Sequence, residues 1–377
     1  MAATLDVSDC ELLPFRSALG HWRKAARTRL LEGGQPVEPR PMLWPCDVPE
    51  IQDAHTRAPP APDADVVVVN NAVVGGGGSV AFKDGAYVHA ASAYPGYIQA
   101  YIDREVTPHT WAFDRRGLKT WRLRRAYVVA HFNMMWGHWL TEVFPKLFAI
   151  EQLRRQGLEA PILLPDAAPS YVRTVIEDVL PGQEVIVYPQ ATHCVWVARL
   201  LLPPMLQSFY VYHPAFGTAL EAYVGRMEPH AGPERVYVSR SGMRTSYAYR
   251  ELVNEPELET AAAERGFEIV RPEALSWREQ VSLFAGARVI TGEFGSGLHN
   301  TLFSPAGAKV VALNCIGDIQ SRIANFRRHD IGYVLPDDGE ARVFHPDRPV
   351  QRFRIDPREF GERLDLATAA AEGRAAQ

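Results

Sequence analysis

The stretch RVITGEFGSGLHNTLFSPAGAKVVALN, Arg288 to Asn314, decides the fold class. An apolar run of strand length ends at Gly292. A Gly/Ser cluster follows, then the short helical pattern GLHNTLFS, a Pro-Ala-Gly break and a second apolar run. The same alternation extends both ways. Upstream stand the strand RVYVSR, the helix EPELETAAAERG with an acidic first turn and a Gly stop, and the strand FEIVRP. The helix SWREQVSLFAGA comes next, and its Ser276 and Glu279 form a capping box. Downstream come the helix IQSRIANFRR, the strand GYVLP and a last helix, DPREFGERLDLATAAAEG. Strand-helix alternation implies an α/β domain with a parallel sheet covered on both faces. Ligands in such sheets sit outside the carboxyl ends of the strands, which puts Glu293 to Asn300 at the ligand edge.

The N-terminal half reads as a second, looser α/β unit. RRAYVVAHF is a strand. WGHWLTEVFPKLFAIEQLRRQG then carries Trp139, Val143, Leu147, Ile150 and Leu153 at helical spacing, with Pro145 placed to kink it. PILLP, SYVRTVIEDVL, EVIVYP and VARLLLPP continue as strand, helix, strand, strand. In VVVVNNAVVGGGGSVAFKDGAYVHA the dipeptides NN and DG read as turns between short strands. The run Gly75 to Gly78 is no phosphate loop, because a strand pattern and not a helix follows it. Residues 1–65 read as an N-terminal helix and a Pro-rich arm, 66–228 as the first domain and 229–377 as the second, with its terminal helix.

Composition narrows the function. The 377 residues suit two domains and are 47% apolar and 22% charged, as in a globular protein. A net charge of −4 speaks against nucleic acid as a partner. Only five of the 40 basic residues are Lys, a bias read as genomic. Cys10, Cys46, Cys194 and Cys315 lie far apart, which gives neither a metal motif nor a disulfide framework. The acidic start MAATLDVSDCELLPF has no apolar core of a signal peptide, and no run reaches membrane-span length, so the expected compartment is the cytoplasm. The basic segment FRSALGHWRKAARTRLLEGG is read as a solvated helix face, with a peripheral membrane contact as the alternative. Oligomeric state is not readable.

Three places could carry chemistry. In GEFGSGLHN, Gly295 and Gly297 let the backbone approach a ligand. Ser296 adds a hydroxyl, the N–H groups opening the following segment from Leu298 favour an anion, and His299 and Asn300 could bond a ribose, phosphate or sugar. A structural turn is the equal alternative. Arg240 ends the domain's first strand, so its guanidinium can meet an anion held at the same edge; Arg244 reads as a solvated loop charge. His138 and Glu142, four apart, share a helix face, which is more often a structural pairing than a catalytic one. Asp63-Ala64-Asp65 precedes its strand, so its likeness to a metal-binding D-x-D is read as chance, and Asp337-Asp338 reads as an acidic turn.

Together, GHWLTEVFPKL, RVYVSRSGMR with RELVNEPEL, and the long block from Gly266 to Leu313 resemble glycosyltransferase family 61 of the bacterial capsular polysaccharide type. The likeness runs from about Arg125 to Asn314 and is strongest from Arg235 on. It implies a GT-B fold, two Rossmann-like domains facing across a cleft, with a nucleotide-sugar donor in the second and a glycan or lipid-linked glycan acceptor in the first. It also implies inverting transfer without a metal or other cofactor. Donor binding then falls to Arg240, Arg244 and Gly295 to Asn300, and the base to His138 oriented by Glu142, with Glu293 second. Many members carry His-Gly-Ala-Gly-Leu where this chain has Phe294-Gly-Ser-Gly-Leu, so that histidine's role is absent or has passed to Glu293 or His299. A non-catalytic binder of the same fold, or a nucleotide-dependent oxidoreductase, are the alternatives. No G-x-G-x-x-G follows either first strand, which counts against the latter.

Overall fold

The computed structural model describes residues 26–76, 79–81, 87–89, 117–129, 135–207, 211–227, 232–242, 250–315, 317–336 and 351–373. The chain forms two units. The first takes residues 1–34, 61–209 and 213–216; the second takes 35–60, 210–212 and 217–377. Both are α/β with parallel strand pairs.

The first unit holds one mixed sheet of β1 (Ala26–Leu31), β2 (Ala64–Gly75), β3 (Ser79–Ala81), β4 (Tyr87–His89), β5 (Lys119–Val128), β6 (Ile162–Pro165), β7 (Val185–Tyr188) and β8 (His193–Leu202). Their order is β4-β3-β2-β8-β5-β6-β7, and β1 also pairs with β2. Only β8, β5, β6 and β7 run parallel. Taken alone, these four stand in the 3-2-1-4 order of a doubly wound sheet. The rest of the sheet departs from that order, because β2 lies antiparallel to β8 and brings β1 and β3 with it. The apolar face of Val69, Val74, Ala126, Val128, Val195 and Val197 shows why these residues form strands: β-branched side chains alternate onto one core.

Two readings are corrected here. ARTRLL belongs to a strand, not to an amphipathic helix. Its backbone satisfies the open edge of β2 while Arg29 pairs with both Asp63 and Asp65 at 2.8 Å. Those ion pairs are also what the D-x-D string does. The Asn70-Asn71 pair is not a turn: β2 runs through it with Asn71 at φ 57°, a left-handed backbone that Asn tolerates, and pairing with β8 resumes at Ala72.

The second unit has a five-stranded, all-parallel sheet of β9 (Arg235–Val238), β11 (Glu268–Val270), β12 (Val289–Glu293), β13 (Lys309–Leu313) and β14 (Asp330–Val334) in the order β11-β9-β12-β13-β14. Numbered along the chain this is 2-1-3-4-5, the flavodoxin-like order, whose switch point lies between β9 and β12. The helices Glu255–Ala263, Trp277–Gly286, Ile319–Arg327 and Pro357–Ala371 stand where the sequence places them, and the Ser276–Glu279 capping box is formed. GLHNTLFS is a 3₁₀ segment, Leu298–Phe303. A parallel pair of three-residue strands, β10 (Arg250–Leu252) and β15 (Gln351–Phe353), was not foreseen, being too short for periodicity to show.

Residues 35–60 pack on this sheet. The Leu43 N–H bonds the Ile331 carbonyl at 2.8 Å, and Trp44 Nε1–H bonds that of Tyr333 at 3.0 Å. The Trp44 ring covers Gly332 and lies under Arg363, whose guanidinium stands 4.9 Å from the ring centroid. Arg40 forks onto Asp330 at 2.7 and 3.0 Å. A Cβ on Gly332 would stand 2.3 Å from the Trp44 ring. Gly332→Ala is therefore expected to destabilise the protein by about 1–3 kcal/mol, the range of overpacking. Urea unfolding followed by tryptophan fluorescence measures it, and an unchanged midpoint would show that the Trp44 contact contributes little.

Candidate functional site

In the first unit the site begins where β5 hands the chain to its helix. The helix opens at Trp136–His138, widens into a π turn over Trp139–Val143, and continues as Phe144–Arg155. Pro145 explains the widening. It has no N–H to close the ordinary bond to Thr141, and the Phe144 N–H reaches back to the Trp139 carbonyl instead. His138 Nδ1 stands 2.8 Å from Glu142 Oε1, with the His side chain 21% exposed and the Glu 4%. Trp136 and Trp139 flank the pair, each edge-on to Tyr171. A carboxylate on Nδ1–H leaves Nε2 as the acceptor nitrogen, the tautomer a general base needs.

In the second unit the glycine loop sits on the switch point. A Cβ at Gly292 would lie 2.6 Å from the Val238 carbonyl oxygen, and one at Gly297 would lie 3.1 Å from Val238 Cγ1. These two glycines let the chain leaving β12 settle over the end of β9. Arg240 and Glu293 thereby become neighbours, with Nε 3.5 Å from Oε2. The carboxylate is 4% exposed and the guanidinium 23%.

The loop divides into an outer and an inner part. The backbone N–H groups of Gly295, Ser296 and Gly297 donate to no acceptor among the described residues. Ser296 and Gly297 are half-buried. Leu298, His299 and Asn300 turn inward. Asn300 Nδ2–H bonds Gln280 Oε1 at 3.0 Å, and His299 stands edge-on to Phe294 at 5.9 Å. Phe294 is itself buried, and its N–H bonds the Leu313 carbonyl at 2.9 Å. Arg244 and Asp337-Asp338 lie outside the described residues.

The sequence reading missed the acids around Arg240. Glu255 and Glu259 sit one turn apart on the helix that follows β10. Glu255 Oε1 accepts the Arg240 N–H at 2.7 Å, and Glu259 accepts from the Ser239 hydroxyl. Arg271, at the end of β11, donates to Ser241 Oγ at 2.8 Å, and Ser241 Oγ stands 2.9 Å from Ser239 Oγ. Burial pushes the Glu255 carboxyl up to about 7; the Arg240 N–H opposes the rise, and the Glu293 and Glu259 charges add to it. Burial, with the same three carboxylates, holds the Tyr237 phenol well above its ordinary value. The four-residue spacing of Glu255 and Glu259 behind a first strand was visible. What was not visible is that they would turn toward the strand end.

His138 and Glu142 thus meet within the first unit, and Arg240 and Glu293 within the second. No group of three or more His, Cys, Asp or Glu among the described residues is arranged to hold a metal ion. No helix among them is long and apolar enough to cross a membrane. No curated protein matches the chain. Residues 136–311, which run from the start of the His138 helix to β13 and so span both pairs, match the model of the family described as Glycosyltransferase 61. The match covers just under half of the chain and makes this region similar to glycosyltransferase family 61, a family that transfers a sugar from a donor to an acceptor.

Proposed function

We propose that the chain is an inverting glycosyltransferase of GT-B type. It takes a sugar from a nucleotide-sugar donor bound on the second unit and gives it to a glycan or lipid-linked glycan acceptor bound on the first. Its setting is surface polysaccharide synthesis in the cytoplasm, at the inner face of the membrane. The observation that carries this reading is the β9/β12 switch point. There Arg240 and three unbonded N–H groups stand at one strand edge, a donor set suited to the oxygens of a diphosphate.

In this mechanism the acceptor hydroxyl attacks the anomeric carbon as the bond from that carbon to the diphosphate oxygen breaks, through an oxocarbenium-like transition state. The hydroxyl proton passes to His138 Nε2, and Glu142 stabilises the imidazolium through Nδ1–H. The electron pair leaves with the nucleoside diphosphate, whose growing charge is met by Arg240 and the N–H groups of Gly295 to Gly297. Arg244 is assigned to the same anion from its place in the sequence. Leu298, His299 and Asn300 hold the loop. Glu293, engaged with Arg240, is the lesser candidate for the base. A proton on Glu255 reduces the negative charge facing the diphosphate. No step is given to a metal.

Thermal unfolding against nucleoside diphosphates, in EDTA and in magnesium, tests the donor site. A ligand at ~100 times its Kd adds about 2.7 kcal/mol of stability. We expect a rise in Tm with one nucleoside diphosphate that persists in EDTA and is abolished by Arg240→Ala. A rise with NAD or NADP alone would favour the oxidoreductase, and one that needs magnesium would remove the metal-free mechanism. For activity, His138→Ala is expected to lower kcat by about 10²–10⁴-fold, the usual contribution of a general base. Retention of full transfer would remove His138 from the chemistry.

Glu255 gives a further check. Its folded-state pKa, about 7, lies above the unfolded value, so the folded protein keeps a proton that the unfolded chain has already lost. Stability from this group is full at low pH and is lost as pH rises through 7. Glu255→Gln is expected to leave stability near pH 4 unchanged and to raise it at pH 8, on the order of 3 kcal/mol for a shift of this size. A variant with the same pH dependence as the parent would show that Glu255 titrates normally.

A further inference from the structure

Lys146 is wholly buried, and its Nζ meets no hydrogen-bond partner among the described residues. An unpartnered ammonium in a protein interior is unfavourable by several kcal/mol, and an aliphatic side chain would fill the place more stably. It is also one of only five lysines in the chain. Its position is the informative part. His138, Glu142 and Lys146 follow one another at four-residue steps. Their exposure falls from 21% through 4% to none. In a regular α-helix residues eight apart drift by about 80° around the axis; the π turn between them is wider and offsets part of that drift. A long side chain on a helix points back toward the N-terminus, which carries the ammonium toward Glu142. Glu142 is the opposite charge acting on it.

We propose that Lys146 is a positioning residue for the His138–Glu142 pair: its charge keeps Glu142 ionised, which fixes the proton of His138 on Nδ1 and makes Nε2 the accepting nitrogen. Glu142 is nearly as buried as Lys146, and a buried carboxyl without a nearby cation takes up a proton. As an acid it would donate to Nδ1, and the imidazole proton would sit on Nε2. That tautomer cannot receive the acceptor's proton, so the pair would be intact in outline and inert as a base. Burial lowers the Lys146 ammonium to about 8, with Glu142 opposing the fall, so the group is still mostly charged near neutrality. The catalytic part of this inference rests on the transferase reading above; the tautomer does not.

The test is the ¹⁵N imidazole spectrum of His138 at neutral pH in histidine-labelled protein, assigned with His138→Gln. The parent is expected to carry the proton on Nδ1, Lys146→Met on Nε2, and Lys146→Arg on Nδ1 again. In parallel, Lys146→Met should lower kcat by about 100-fold while KM changes by no more than a few-fold. An Nδ1–H tautomer retained in Lys146→Met, or an Nε2–H tautomer in the parent, would overturn the proposal. If Lys146→Met does not fold, Lys146→Gln is read in its place. Failure of both to fold would make Lys146 a folding element and end the proposal. If the parent shows no transfer at all, the functional reading falls while the tautomer comparison still decides the role of Lys146.

Discussion

The end of β9 and the end of β12 are so close that no Cβ fits between them at Gly292. Gly292 and Gly297 both face Val238, and the contact at Gly292 is with backbone, which cannot move aside cheaply. This closeness makes Arg240 and Glu293 neighbours, leaves Ser296 and Gly297 half-buried, and turns Leu298 to Asn300 into the core, where Asn300 is tied to Gln280. A side chain at Gly292 would push β12 away from the β9 backbone, whereas one at Gly297 asks only the Val238 side chain to give slightly.

The same closeness sets the charge of the site. Three carboxylates and two guanidinium groups gather at the ends of β9, β11 and β12. Such a cluster would repel an anion if every acid were ionised. Partial burial shifts the balance, because the acid bonded to the Arg240 backbone holds its proton up to about neutrality. Arg240 itself stays partly exposed, and its contact with the buried Glu293 carboxylate is a long one.

Much of the second unit was legible in the sequence because its signals are local and agree: periodicity, the capping box at Ser276, the Gly stop after the acidic helix, and the apolar runs of β12 and β13. The first unit was harder. Its β2 edge recruited ARTRLL, a segment whose own composition favours no strand, and only the distant Asp63 and Asp65 explain the choice. The candidate groups divide the same way. His138 and Glu142 could be paired from their spacing, and Arg240 could be placed at a strand end. Glu255 could not be placed beside Arg240, because that contact depends on where a helix settles after an intervening loop. Lys146 could be counted on the same face, but its burial could not, since charged side chains on helices normally face water.

The π turn between His138 and Phe144 carries one residue more than a regular helical turn would hold. Loss of a single residue before Glu142 would shorten the step from His138 to Lys146 from eight residues to seven, which a regular helix carries to within about 20° of two full turns. Histidine, glutamate and lysine would then stand at i, i+3 and i+7, still on one face. The shared face is thus a property of the helical period, and it holds at either length of the turn.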